Sequence, residues 1–425
     1  MRRREYLRRA GLSLWHFKCF LMYLAAFLWR RLLFRTTFIA ITGSMGKTTA
    51  KECLAAALSS RFPTAKTFGN QNDYWGVPRS LLRVRPWHRF AVIEVATARH
   101  GLMKRSARLV RPDVAVVLNV ARAHVNNFRT LDGVAAEKAE LLAALPAGAV
   151  AVLNGDDPRV AAMANPSRHR ITWFGSSPAF DFQAECLSSR WPERFSFRLR
   201  AGSESRQVQT RLLGTHWKDS VLGALAAAHV CGVALSAAVE SISLIEPGPG
   251  TMQPNQLPCG AIVIRDELSG SIGTLRQALE VLAQSSAARK LLVISDVTDT
   301  SQKPRKRLAQ IGREAAAVAG SVVFIGDRAG HGVRGAVAAG MDPQSAHGFG
   351  FLQAAAEFLK AELRPGDLVL LKGRTTLHLS RIYFAQIGTV ECWKVDCEKT
   401  FLCDRCPELG ARPYPASTGL RSSDA

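Results

Sequence analysis

Cysteine is scarce in this chain of 425 residues. Nine thiols, four of them in the last 34 positions, are too few for a disulfide scaffold and leave the tail needing its own account. Acidic residues are also in short supply, 34 Asp and Glu against 56 Lys and Arg, so the formal net charge is +22. Such a balance draws a protein toward phosphates, anionic lipid head groups, nucleic acid or acidic metabolites, and does not choose among them. A composition of 47% apolar, 21% charged and 8% aromatic residues excludes a largely disordered or collagen-like chain. Single cores usually stop growing near about 250 to 300 residues, so the length implies two or three domains.

Long hydrophobic runs are absent too. Near the start, Cys19 to Trp29 gives 11 apolar residues, which as a helix would reach only about 16 Å against a hydrocarbon core of about 30 Å. Extending the run back through Leu12 to Phe17 brings in His16 and Lys18. A secretory signal is disfavoured because no small-residue cleavage site follows and Arg30-Arg31 interrupt where one should be. Residues 1–35 hold nine Lys and Arg against Glu5 alone, +8 of the total. Residues 1–37 therefore read as a basic, apolar helix lying in the membrane interface, anchored by Trp15, Tyr23, Trp29 and arginines. A true span and a helix packed on its own domain are the alternatives.

What is present next is a phosphate loop in its required setting. Phe38 to Thr42 is a β-prone run, Gly43-Ser44-Met45-Gly46-Lys47-Thr48-Thr49 follows, and Ala50 to Leu58 reads as a helix. Gly43 and Gly46 let backbone N–H groups turn toward phosphate oxygens, the helix N-terminus adds positive potential, Lys47 supplies a point charge and Thr48 would hold Mg²⁺. The loop is shorter than the usual Walker form, since Ile41 stands where its first glycine would be. A nucleoside triphosphate site is predicted.

The string Thr42 to Thr49 resembles the loop of the Mur ligases and of their folylpolyglutamate and poly-γ-glutamate synthetase relatives. The likeness continues in order. Asn70-Gln71-Asn72-Asp73-Tyr74-Trp75-Gly76-Val77-Pro78 looks like the Asn-rich Gly-x-Pro segment of the Mur ligase type that adds D-Ala-D-Ala. Ala91 to Glu94 is similar to the strand that ends in an acidic metal ligand, and Arg111 to His124 to the next strand and its histidine. Leu131 to Glu140 resembles the segment with a carbamylated lysine, here Lys138, and Leu153-Asn154-Gly155-Asp156-Asp157-Pro158 the Asn-Ala-Asp-Asp turn. Independently of the family, Glu94 ends a buried strand and so should face the crevice where α/β folds bind ligands, within reach of a hard cation at the loop. His124 follows the apolar run Val114 to Val120 and suits a second metal. Lys138 alone would be a solvated lysine; only the resemblance implies a carbamate there. Asn70, Asn72, Arg99, His100, Asn126 and Asn127 flank the site as candidate substrate contacts.

In the second half, Gly214-Thr215-His216 resembles the family's Gly-x-His helix start, with His216 implied at the adenine. Trp217 and Ser220 stand where asparagines are usual. Glu246-Pro247-Gly248-Pro249-Gly250 reads as an interdomain hinge. After it, Ala261 to Ile264, Lys290 to Ser295, Val322 to Ile325 and Leu368 to Leu371 read as short buried strands between Ala-rich helices. Asp266 resembles the family's ribose-binding acid, while Thr251 replaces the usual arginine and Leu268 to Gly273 replaces the usual loop. Lys372 and Arg374 are candidate contacts to phosphate or to an acidic substrate. The resemblance covers about residues 38 to 385, and it leaves no room before Phe38 for the domain that holds the UDP sugar in ordinary members.

The expected fold is α/β: a Mur-ligase-like, P-loop central domain with a parallel-type sheet (38–245), then a Rossmann-like C-terminal domain (246–388). A four-cysteine tail (389–412) and a disordered end (413–425) would follow. Cys392, Cys397, Cys403 and Cys406 lie within 15 residues and can close a tetrahedral Zn²⁺ site; reduced free thiols are the alternative. The resemblance implies an ATP- and Mg²⁺-dependent amide ligase acting on an anionic carboxylate and an amine, in cell-envelope or exported-polymer synthesis. It would work in the cytoplasm, peripheral on the inner face of the cell membrane. Two other classes remain: a catalytically inactive ligase-like scaffold, and a nucleic-acid-associated P-loop ATPase, which lacks helicase motifs or aromatic-basic interleaving in its support.

Overall fold

Strand runs rich in Val, Ile, Leu and Ala build two separate sheets in the computed structural model. It describes residues 2–97, 99–121, 128, 130–165, 168–298 and 302–410, with side chains from residue 17 onward. The chain divides into two compact units. One comprises residues 1–188 and 194–245, the other 189–193 and 246–425.

The first unit opens with helix α1 (Arg2–Leu32), followed by β1 (Thr37–Thr42), α2 (Lys47–Ser59), β2 (Thr64–Lys66), α3 (Gly76–Arg83), β3 (Phe90–Glu94) and α4 (Leu102–Val110). Then come β4 (Val114–Val117), α5 (Leu131–Ala143), β5 (Val150–Asn154), α6 (Pro158–Ala161), β6 (Arg170–Gly175), β7 (Phe182–Ser188), β8 (Ser196–Ala201), β9 (Glu204–Gln209), α7 (Lys218–Val230) and α8 (Leu235–Ser243). The strands form one sheet in the order β2-β3-β1-β4-β5-β6-β7-β8-β9. Pairing is parallel from β2 to β7 and antiparallel across β7-β8-β9. β1, β3 and β4 are apolar on both faces and almost wholly buried, as strands covered by helices on both sides must be. β9, Glu-Ser-Arg-Gln-Val-Gln, buries only Val208, as suits an exposed edge.

Register aligns the functional ends. Ile41 pairs with Glu94 and Thr42 with Val117, so the loop after β1 and the acid ending β3 meet at the same edge.

α1 is longer than the apolar run predicts, and its face is set by the fold. Ala26, Arg30 and Leu33 are buried, with Tyr23, Phe27 and Trp29 packed against the same core. Trp29 Nε1 donates to Val84 O at 2.8 Å, and Arg30 donates to Val110 O at 2.6 Å and Arg111 O at 2.7 Å. The expected anchors Tyr23, Trp29 and Arg30 thus pack toward the fold: Trp29 and Arg30 meet carbonyls at the C-terminal ends of α3 and α4, and the Tyr23 hydroxyl donates to Arg105 O within α4 at 3.4 Å. Among the described residues no helix is long and apolar enough to cross a membrane.

The second unit holds β10 (Gln253–Gln256), β11 (Ile262–Asp266), α9 (Ile272–Gln284), β12 (Arg289–Ile294), α10 (Pro304–Ala316), β13 (Ser321–Ile325) and α11 (Ala329–Ala338). β14 (Ala346–Phe349), α12 (Leu352–Glu362), β15 (Asp367–Lys372) and α13 (Ser380–Ile387) complete it. Its sheet runs β10-β11-β15-β12-β13-β14, parallel except for the β10 edge. Residues 389–410 pack back on this unit. Val390, Cys403 and Leu409 form a small core with Phe384, Ala385 and Trp393, and Arg265 at the end of β11 makes a two-pronged pair with Asp404 at 2.8 Å on both prongs.

Candidate active site

The loop between β1 and α2 is shaped by two close approaches. A Cβ on Gly43 would lie 3.0 Å from Leu118 Cβ. Gly46 takes the left-handed backbone (φ +78°), and a Cβ there would come within 2.3 Å of Ser220 Oγ. Ser220 Oγ donates to Gly46 O at 3.0 Å, so the residue standing in an asparagine's place braces the loop from α7.

The amides of Ser44 and Met45 do not point to an empty cradle as the loop pattern suggests. Both donate to Asn119 Oδ1, at 3.1 and 3.0 Å, and Ser44 N also reaches Asn119 O at 3.0 Å. The donors left at this edge are the first-turn N–H groups of α2, which have no intrahelical partner, and the ammonium of Lys47. Lys47 Nζ meanwhile folds back on Gly43 O at 2.9 Å and Ser44 O at 3.2 Å. Burial pushes its pKa down, with Glu94 pulling the other way. Thr49 lies half-buried in that first turn.

Beside it, Glu94 is fully buried and surrounded by donors. The Thr48 hydroxyl donates to both of its oxygens, at 3.1 and 3.0 Å, and Asn72 Nδ2 donates to Oε1 at 2.5 Å. Lys51 Nζ stands 3.9 Å from Oε2, fully buried itself, and is held by Gly69 O at 2.5 Å and Glu52 at 2.9 Å. A hydroxyl and a carboxylate side by side are hard oxygen donors of the kind that Mg²⁺ prefers.

Lys138 is no solvated lysine. It is 4% exposed on α5, and its pKa lies well below the ordinary lysine value, first because of burial and second because of the nearby Lys47 charge, with Glu137 opposing. Glu137 is itself engaged, accepting from Gly101 N and Met103 N at 2.9 Å each. The structure thus brings together Gly43, Gly46, Lys47, Thr48, Asn72, Glu94 and Lys138. His124, Asn126 and Asn127 lie outside the described residues.

The remaining candidates are placed differently. Asn70, Arg99 and His100 are exposed, with His100 packed edge-on against Phe128. His216 sits half-buried against Trp217 in the short turn leading into α7, and Trp217 points inward to donate to Leu213 O at 3.0 Å. In the second unit Asp266 accepts from Met252 N at 3.2 Å and from Lys372 Nζ at 2.6 Å. Lys372 is fully buried and also donates to Ser269 O and Thr274 Oγ1. Its three hydrogens thus have partners within the second unit. Arg374 is half-buried, with its Nε buried and unpaired among the described residues.

Sequence reasoning missed Lys51, Asn119, Glu137 and Lys218. A lysine on the buried stripe of an Ala/Leu helix was the available signal for Lys51. Lys218 pairs with Asp156 and lies 3.3 Å from Asp219; despite burial, those two acids push its pKa up.

In the tail, Cys392, Cys397, Cys403 and Cys406 line one pocket with His378, Arg381 and Lys399. All four are free thiols. Cys403 Sγ lies 3.4 Å from His378 Nδ1, and Lys399 donates to Cys406 Sγ at 3.1 Å. Among the described residues no group of three or more His, Cys, Asp or Glu is arranged to hold a metal ion.

Comparison with known proteins adds to this geometry. The Mur ligase middle domain matches residues 41–228, and the Mur ligase, glutamate ligase domain matches residues 252–375. The UDP-N-acetylmuramoyl-tripeptide–D-alanyl-D-alanine ligase of Escherichia coli is 33% identical over 286 residues, 66% of this chain and 62% of the relative. That of Mycobacterium tuberculosis is 30% identical over 379 residues, 84% of this chain and 74% of the relative. The chain thus spans less than two thirds of the first of these. A crystal structure of MurF from Acinetobacter baumannii superposes with a TM-score of 0.79 at 26% identity, covering 86% of this chain and 79% of that one. The Thermotoga maritima MurF ligase solved in complex with ADP shares the fold, with a TM-score of 0.74 at 21% identity over 86% of this chain and 82% of its own.

Proposed function

Since the chain belongs to the Mur ligase family, whose members form amide bonds at the expense of ATP in peptidoglycan synthesis, we propose that it joins an anionic carboxylate substrate to an amine. The single observation that carries this is the cluster of half-buried Lys47, Thr48 and Asn72 around the buried Glu94 at one edge of the sheet, with Lys138 beside it. A carboxylate oxygen of the acid attacks the γ-phosphorus of ATP and ADP leaves. The amine nitrogen then attacks the acyl carbon, and inorganic phosphate departs with the carboxylate oxygen. Positioning and electrostatics carry such a reaction.

In this reading Lys47 and the first-turn amides of α2 hold the β- and γ-phosphates and stabilise charge on the transferring group. Thr48 and Glu94 fit Mg²⁺, which when bound would neutralise phosphate charge. Asn72 orients the Glu94 carboxylate, and Lys51 offsets its charge in the ligand-free pocket. Lys138, whose pKa burial and the Lys47 charge push down, is proposed as a nucleophile for carbon dioxide; its carbamate would supply a second anion, with His124 as its companion ligand. Arg99, Asn70 and Arg374 are proposed to meet the acid, and His216 and Asp266 the nucleoside.

The relatives' names identify the first pair to try, UDP-N-acetylmuramoyl-tripeptide as acid and D-alanyl-D-alanine as amine. The reaction is placed in the cytoplasm, on the inner face of the cell membrane. Structural Zn²⁺ is proposed for Cys392, Cys397, Cys403 and Cys406, supported by their sharing one pocket; purified protein with no zinc by elemental analysis would remove it. The ligase reading is tested by ADP release that needs both an acid and an amine, with Lys47→Ala as control. Hydrolysis indifferent to both, in the presence of a broad panel of acids and amines, would refute it.

A further inference from the structure

The outer face of α1 is apolar although nothing in the described fold covers it. Phe17, Phe20, Leu24, Leu28 and Leu32 follow one another at helical spacing, Phe34 continues the line, and all are 41–81% exposed. With Leu21, half of the large hydrophobic side chains exposed anywhere in the described chain fall in these 18 positions, which marks one patch and not scattered surface residues. The opposite face is fastened to the fold through Ala26, Trp29, Arg30 and Leu33, so the helix cannot turn the stripe inward.

We propose that this stripe is a docking surface for an anionic phospholipid membrane, on which α1 lies flat while its other face stays packed on the protein. The charge beside it chooses the occupant. Lys18, Arg31 and Arg35 are exposed next to the stripe, and residues 1–35 carry nine Lys and Arg against one acid. An apolar face meant for a second copy of this chain would bring two such basic rims together, which is repulsive; phosphate head groups meet the same rim with opposite charge. From residue 17 to 32 the helix offers a line of about 24 Å, parallel to the bilayer plane, with a depth of insertion limited to side chains. The inference rests on the peripheral location proposed for the enzyme only for which leaflet is met. Lipid binding itself needs no ATP, acid or amine.

The test is co-sedimentation of the full chain with vesicles of phosphatidylcholine alone and of phosphatidylcholine with about 30% phosphatidylglycerol, without nucleotide. Binding to the anionic vesicles should exceed binding to the neutral ones at least about tenfold, and should fall steeply as salt rises from low to high ionic strength. The double variant Leu24→Glu/Leu28→Glu should lose at least about tenfold in vesicle binding with its melting temperature unchanged. Leu24→Ser/Leu28→Ser, which adds no charge, should lose binding in the same direction. Equal binding to both vesicle types, or full binding by the serine variant, overturns the proposal. So does a soluble dimer, seen by light scattering, that the variants dissociate while the wild type ignores vesicles. Wild-type protein that binds vesicles but shows no acid- and amine-dependent ADP release would refute the ligase reading and leave this one standing.

Discussion

Replacing Glu94 with Gln keeps the volume of a fully buried side chain and removes its charge. Three donors converge on Glu94: the Thr48 hydroxyl on both oxygens, the Asn72 amide at 2.5 Å and the Lys51 ammonium at 3.9 Å. Glutamine offers one acceptor oxygen and turns an NH₂ toward the others. With its oxygen in the Oε1 position glutamine keeps both the Thr48 hydroxyl and the Asn72 amide, while its own buried NH₂ is turned toward the Lys51 ammonium, a donor facing a donor. An orphaned buried donor costs about 1–3 kcal/mol. For a domain of this size that corresponds to a melting temperature lower by about 4–8 °C, taking ~2 kcal/mol and about 2–4 °C per kcal/mol. The functional loss should be far larger, at least about a hundredfold in amine-dependent ADP release, because the anion that holds the cation is gone. Thermal unfolding and a coupled ADP assay at fixed Mg²⁺ read the two effects separately. A folded Glu94→Gln protein with ADP release within about threefold of the wild type would refute the assignment of this carboxylate.

Gly46→Ala should abolish nucleotide binding without unfolding the chain, since its Cβ would meet Ser220 Oγ at 2.3 Å in a left-handed backbone; equilibrium binding of a fluorescent ATP analogue measures it. Lys138 titrates below an ordinary lysine, so between its depressed value and the unfolded one the unfolded chain binds more protons. The unmodified protein should therefore lose stability as pH falls through that window, and added bicarbonate should stimulate ADP release near neutral pH. Lys138→Ala should remove the bicarbonate response, with a short aliphatic carboxylate restoring part of the rate; a bicarbonate response that survives in the alanine variant sinks the assignment. Asp404→Ala should cost about 2–3 kcal/mol in the second unit, read by urea unfolding, because it strips one carboxylate from a guanidinium that is 3% exposed and leaves only Glu267.

The central strands were legible because burial on both faces leaves continuous apolar runs: Phe38 to Thr42 is β1 but for one residue, and Leu368 to Leu371 lies inside β15. The antiparallel extension β7-β8-β9 is hard to read in the sequence, since Arg, Glu and Gln interrupt it and its buried apolar positions number only two, two and one along the three strands. At the site, the loop and Glu94 could be found because a phosphate loop and a strand-ending acid are local patterns. Asn119, Lys51 and Glu137 act through partners 18 to 75 residues away, which no local spacing announces. Lys372 shows the converse: a cation at a strand end is visible in the sequence, but not that Asp266, at the end of the neighbouring strand, already holds it.

β1 separates the two places proposed to meet phosphate. α1 arrives at its N-terminal end and the nucleotide loop leaves from its C-terminal end, and six extended residues set them about 20 Å apart. On the docking proposed above, head groups gathered around the basic rim would be kept out of reach of Lys47, and a surface crowded with lipid anions should not act as a competitive inhibitor of ATP.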